Sequence, residues 1–216
     1  MKTLITILLA LIPFTSHAQF QFVSDIHAGG NKIRYGNLNS ILYPQKASGV
    51  FNSFLKNHKG ETVITLGDLT NKDENKYYQK LLYYQKKNKA DVIWVLGNHD
   101  GAKKFKKNFK ISRTYYYTDR GDTRIIVLDS TTKFWNGQGW VDKEQLDWLK
   151  TVLTDKSIIA MHHPFIYNGV KTEWADRFLD VIGDTPVYAG HLHCYGDYGQ
   201  LHIVGALTDK YRPCPY

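Results

Sequence analysis

Residues 62–100, TVITLGDLTNKDENKYYQKLLYYQKKNKADVIWVLGNHD, decide how this chain folds. The run from Thr62 to Leu66 is apolar and rich in β-branched side chains, which predicts a buried strand over 62–66. It stops at Gly67-Asp68. A stretch of lysines, tyrosines and leucines with an amphipathic pattern predicts a helix over 73–88. A second apolar run predicts a strand over 91–97, and it stops at Gly97-Asn98-His99-Asp100. Strand, helix and strand in this order form a βαβ unit, so the two strands should lie parallel. Both end in side chains able to bind a metal or carry a proton, where open α/β sheets place their sites.

The same pattern recurs three times elsewhere in the chain. Asp25-Ile26-His27 follows a strand over 20–24, His162-His163-Pro164 one over 157–161, and Gly190-His191-Leu192-His193 one over 186–190. Of nine histidines, six sit in these motifs; His17, His58 and His202 are the others. Structural histidines would not select strand ends this way. Further strands are expected over 114–118, 124–129 and 200–206, and helices over 46–58, 143–153 and 172–182. Tyr115-Tyr116-Tyr117, a Gly121-Asp122 turn and Ile125-Ile126-Val127-Leu128 read as a hairpin. Two sheets packed face to face with helices outside accommodate both patterns. The chain shows no internal repeat and no linker, and 216 residues suit one domain.

The motif side chains form a donor set. Asp25 and His27 are two apart, so on an extended strand end they would point to one side. Asp68 supplies a carboxylate that can bridge two cations, and Asn98 an amide oxygen. His162, His191 and His193 complete seven ligands, too many for one tetrahedral zinc but suited to a pair of ions sharing Asp68. Carboxylate with imidazole favours manganese, iron or zinc over soft copper. No Walker-type glycine loop or Gly-x-Ser-x-Gly elbow points to other chemistry.

Taken together, these residues resemble the calcineurin-like metallophosphoesterase superfamily across about residues 20–193. The resemblance implies an α/β fold, a four-layer α/β/β/α sandwich of two mixed sheets with a dinuclear metal site at the strand C-terminal ends. It implies that Asp25, His27, Asp68 and His193 hold one ion, and Asp68, Asn98, His162 and His191 the other. His99 would sit over the substrate phosphate as the catalytic acid, with Asp100 beside it either orienting His99 or shaping the loop. In similar His-x-Pro motifs the first histidine is the ligand, so His163 would stand beside the ligands. Protein Ser/Thr phosphatases carry Asp-Arg-Gly after the Gly-Asp motif; here Leu69 follows Asp68. Purple acid phosphatases place a tyrosine ligand where this chain has Asn71. The run Gly67-Asp68-Leu69-Thr70-Asn71 looks more like the cyclic-nucleotide phosphodiesterase branch, as do Val127-Leu128-Asp129-Ser130 and His162-His163-Pro164.

The implied reaction is hydrolysis of a phosphate ester, a phosphodiester or phosphomonoester, by a hydroxide that two metal ions activate. The substrate would be a small phosphoester or nucleotide. A nuclease on the same fold is the alternative, and a non-catalytic binding module a further one. The net charge of +8 suits an anionic substrate. Lys103, Lys104, Lys106, Lys107 and Lys110, with Phe105 and Phe109 interleaved, read either as a rim for a polynucleotide or as a solvated helix anchored by its two phenylalanines.

Residues 1–18 have the form of a signal peptide, with Lys2, an apolar stretch over 4–14 and a cleavage site at Ser16-His17-Ala18. The domain would then be 19–216, secreted or periplasmic and without stable membrane association; an uncleaved anchor or a hydrophobic N-terminal strand is the other reading. Cys194 and Cys214 are the two cysteines, either joined as a disulfide or free. The loops 28–46 and 131–141, the latter with Trp135 and Trp140, would select the leaving group.

Overall fold

The computed structural model describes residues 19–30, 33–35, 40–132, 137–167, 169–209 and 212–214. The signal-peptide reading and Trp135 fall outside them.

Strands β1 (Phe20–Val23), β4 (Thr62–Thr65) and β5 (Asp91–Ile93) form a parallel sheet in the order β1-β4-β5. Between β1 and β4 come a short hairpin, β2 (Ile33–Tyr35) with β3 (Ser40–Leu42), and helix α1 (Pro44–Asn57). Helix α2 (Asn75–Asn88) crosses from β4 to β5, so residues 62–100 are the βαβ unit expected of them. Helix α3 (Ala102–Phe109) follows.

The second sheet opens with the hairpin of β6 (Tyr116–Arg120) and β7 (Thr123–Val127), turning at Gly121-Asp122. Helix α4 (Lys143–Val152), capped by the Asp142 side chain on Gln145 N, leads to β8 (Ser157–Ala160). A two-residue hairpin, β9 (Ile166–Tyr167) with β10 (Val170–Lys171), and helix α5 (Ala175–Ile182) precede β11 (Val187–Ala189), β12 (Gly196–Tyr198) and β13 (Leu201–Ile203). The order is β12-β13-β11-β8-β7-β6, parallel in the middle and antiparallel at both edges.

Side-chain alternation along the strands makes the layers. Val63 and Val92 meet Phe51, Leu55, Tyr78, Leu81 and Phe105 of α1, α2 and α3. Their neighbours Ile64 and Ile93 turn the other way, onto Ile125 and Val127 of the second sheet. Ile126, Ile159 and Val187 then face Leu146, Leu149, Phe178 and Ile182 of α4 and α5. The result is helix, sheet, sheet, helix, the four-layer arrangement expected; the larger sheet is mixed and the smaller one parallel among the described residues.

Differences from the sequence reading are local. The strand expected over 91–97 ends at Ile93 because the Thr65 hydroxyl takes over its pairing, donating to Ile93 O at 3.2 Å and accepting from Val95 N at 3.1 Å. Strands β2, β3, β9, β10 and β12 have two or three residues each, too few for periodicity to register. The lysine-rich stretch is the anchored helix: Phe105 is buried, while Lys103, Lys104 and Lys107 lie exposed. Cys194 and Cys214 are disulfide-bonded.

Candidate metal centre

The five motifs meet at one end of the sandwich, in the loops after β1, β4, β5, β8 and β11. A parallel bridge from Ser24 to Ala206 ties the two sheets together there. Four overlapping groups of side chains place potential ligand atoms within 4.8 Å of one another: Asp25, His27 and His193; His27, Asp68 and His99; Asp25, Asp68 and His162; and His162, His163 and His191. Asn98 joins through its Oδ1, 2.9 Å from His162 Nε2. All seven expected ligands are therefore together. His58 and His202 lie elsewhere, against Glu61 and Asp197.

The residues converge for a different backbone reason than the one expected. Asp25 and His27 are not on an extended strand end. Their φ values are 49° and 46°, in the left-handed region, and Asp68, His191 and His193 follow at 50°, 68° and 52°. L-residues avoid this region because Cβ crowds the following carbonyl. Five such residues in one cluster mark a site whose surroundings hold an unfavourable backbone for the sake of side-chain placement. Between Asp25 and His27, Ile26 is fully buried in the helix-side core and pins the loop.

The carboxylates divide their oxygens. Asp25 Oδ2 accepts from the Ser24 hydroxyl and from His191 N at 2.9 Å. Asp25 Oδ1 is buried, accepts no hydrogen bond, and lies 3.2 Å from His193 Nε2 and 3.8 Å from His27 Nε2. Asp68 Oδ1 accepts from His99 N at 2.8 Å. Asp68 Oδ2 lies 3.3 Å from both His27 Nε2 and His162 Nε2, midway between the two halves of the cluster. A bridging carboxylate oxygen belongs in such a position.

His162 supplies a further test of fit. Its Nδ1 is 2.7 Å from Leu66 O, and its Nε2 faces two more oxygens, Asn98 Oδ1 and Asp68 Oδ2. A neutral imidazole has one N–H. With Nδ1 donating, Nε2 can face oxygens only as an imidazolium or across a cation. The donor set therefore suits metal ions, and the Leu66 carbonyl fixes the tautomer that aims Nε2 inward.

Electrostatics agree. Burial disfavours both charges, yet His162 and His27 hold the Asp68 carboxyl well below the usual range, and Asp68 in return pushes His162 up to about 9. Burial and the His162 charge push His191 down to about 4, so it stays neutral with a lone pair to offer. An ion held by His162 would have to displace the proton on its ring. Because that proton is held below about pH 9, apparent metal affinity should fall as pH drops from 9 toward 6. Calorimetric titrations in buffers of different ionisation enthalpy should show proton release on binding; pH-independent uptake without release would contradict this.

His99 and Asp100 part company. His99 Nδ1 is 3.0 Å from Asn71 O, and its ring stands 4.7 Å from that of His27. Asp100 is buried and points into the loops. Its oxygens accept from Leu69 N, Thr70 N and Gly97 N at 2.9, 3.0 and 3.1 Å, and from Tyr78 Oη at 2.9 Å. Burial and the Asp68 charge push its carboxyl up to about 7, against the pull of the Leu69 and Thr70 amides. Of the two roles open to it, these contacts are those of a loop-shaping residue. His163 comes closer than expected, its ring 4.4 Å from that of His191, with Nδ1 2.9 Å from Ser130 Oγ. Sequence reasoning missed the supporting roles of Ser24, Ser130 and Tyr78, although each lay within a run already singled out.

Gly97 is required by packing. A Cβ there would sit 2.0 Å from Asp68 N and 2.3 Å from Asp68 Oδ1. Gly97→Ala should therefore cost about 1–3 kcal/mol, a fall in Tm of roughly 3–10 °C, and displace Asp68. Thermal unfolding with metal analysis checks this; unchanged Tm and ion content would refute it.

A family model described as calcineurin-like phosphoesterase matches residues 19–195. A cAMP/cGMP dual specificity phosphodiesterase of Mycobacterium tuberculosis is 29% identical over 201 residues, covering 79% of this chain and 60% of its own length. A 3',5'-cyclic-nucleotide phosphodiesterase of Nostoc sp. is 28% identical over 152 residues, covering 62% of this chain and 56% of its own. The chain thus spans less than two thirds of either relative. A dimetal phosphatase from Danio rerio shares the fold, with a TM-score of 0.69 at 14% identity over 89% of this chain and 88% of that one.

Proposed function

Because the chain belongs to the calcineurin-like phosphoesterase family, and because Asp68 Oδ2 lies equidistant from two imidazoles of its buried cluster, we propose that it hydrolyses phosphate esters with a pair of metal ions. The position of Asp68 Oδ2 is the observation that carries this reading. Asp25, His27, Asp68 and His193 hold one ion, and Asp68, Asn98, His162 and His191 the other. Manganese, iron or zinc suits these donors. When bound, such ions supply Lewis acidity to the phosphoryl oxygens and lower the pKa of the attacking water.

The chain's own residues do the rest. The His99 amide and the Leu66 carbonyl orient Asp68 and His162 from behind. His99, its Nδ1–H turned to Asn71 O, presents Nε2 toward the site. In its cationic form it stabilises charge on the phosphoryl group and protonates the departing alkoxide. The substrate is a small phosphodiester of nucleotide type, supported by the activities named for the mycobacterial and cyanobacterial relatives. Secretion or export to a periplasm is supported by the leader-like 1–18 and by the bonded cysteine pair. Among the described residues no helix is long and apolar enough to cross a membrane.

Manganese-loaded protein should hydrolyse bis(p-nitrophenyl) phosphate and 3',5'-cyclic nucleotides, and EDTA should abolish both. Single- and double-stranded DNA in the same assay separates the nuclease reading. Absence of turnover on all of these under manganese, iron and zinc would overturn the proposal.

A further inference from the structure

Strand β11 ends at Ala189, and the residues after it carry two of the proposed ligands with no strand to hold them. Every buried peptide group must find a partner. In the first half of this loop the partners belong to the site: Gly190 N donates to His162 O at 2.9 Å, and His191 N to Asp25 Oδ2 at 2.9 Å. In the second half they belong to residues 212–214. The Arg212 guanidinium donates to Leu192 O at 3.3 Å and to His193 O at 3.1 Å. Tyr195 N donates to Arg212 O and Cys214 N to Tyr195 O, each at 2.8 Å. Cys194, next to His193, is bonded to Cys214, and both are buried.

His193 sits at φ 52°, which an L-residue keeps only while its neighbours enforce it. The backbones of the two histidines are thus anchored separately, His191 N by Asp25 and His193 O by Arg212 of the segment 212–214, although the His193 ring also approaches Asp25. They also belong to different ligand groups, His191 with His162 and His193 with Asp25 and His27. We propose that residues 212–214 form a strap that positions His193, so that Arg212 and the Cys194–Cys214 bond set the affinity of one ion site and leave the other alone. This rests on the two-ion reading above.

The test is calorimetric titration of chelator-stripped protein with Mn2+ and with Zn2+, alongside thermal unfolding of the ion-free forms. Wild-type protein, Arg212→Ala, Arg212→Lys and the double variant Cys194→Ser with Cys214→Ser are compared. Wild type should take up two ions. In Arg212→Ala and in the double cysteine variant one affinity should fall about 10–100-fold, the range for loss of an outer support, while the other stays put. Arg212→Lys, which keeps a donor, should recover part of the loss. If the double cysteine variant does not fold, Arg212→Ala, with its disulfide intact, decides. Two unchanged affinities, or two that fall together in a folded variant, overturn the strap. Wild-type protein that takes up no ion overturns the two-ion reading itself.

Discussion

Asp68→Ala protein should retain neither ion after metal loading, and its turnover of phosphodiesters should drop by roughly 10³-fold or more. One of its oxygens is 3.3 Å from imidazoles in both halves of the cluster, so a single deletion removes a ligand from each site. The same deletion unseats the loop beside it, because His99 N loses its 2.8 Å acceptor. The rate figure follows from the several kcal/mol that metal ions contribute to a phosphoryl transition state, at about 1.4 kcal/mol per power of ten. Ion content by mass spectrometry and initial rates decide the matter. Retention of one ion with most of the activity would show that Asp68 serves one site only.

His99→Ala should behave in the opposite way, keeping both ions but losing about 10²–10⁴-fold in turnover, the range for a positioned general acid. The distinguishing feature is the leaving group. p-Nitrophenolate departs without protonation, so its ester should suffer far less than a cyclic nucleotide, whose leaving group is an alkoxide. His99 does lie within 4.8 Å of potential ligand atoms on His27 and Asp68, which makes ion content the critical control. If the variant emerges empty, His99 is a ligand, and the acid must be sought elsewhere.

Much of this molecule was legible in its sequence, for identifiable reasons. Residues 62–100 declare a βαβ unit because β-branched runs, an amphipathic helix and a glycine at each strand end agree with one another. The convergence of the motif side chains was legible because six histidines at strand ends is a pattern that packing does not produce. What stayed hidden depends on groups far apart in sequence. That Asp100 serves the loops is set by the Leu69, Thr70 and Tyr78 donors that reach it. His163 approaches His191 because Ser130, 33 residues upstream, grips both its backbone and its ring. The left-handed backbone at Asp25 and His27 replaces the strand-end geometry that their spacing suggested.

Those left-handed residues bear on how the protein breathes. Each of the five is disfavoured by roughly 1–2 kcal/mol, together a sizeable part of the 5–15 kcal/mol that separates a typical domain from its unfolded chain. The sandwich bears this burden by itself only while its three apolar layers stay well packed. Bound ions share it, since a ligand that favours the folded state adds to its stability. Stripping the ions should thus be understood as a partial denaturation that begins in the loops around residues 25, 68 and 191. In that sense ion occupancy and local order rise together, and ion-free protein should be looser and more protease-sensitive in these loops.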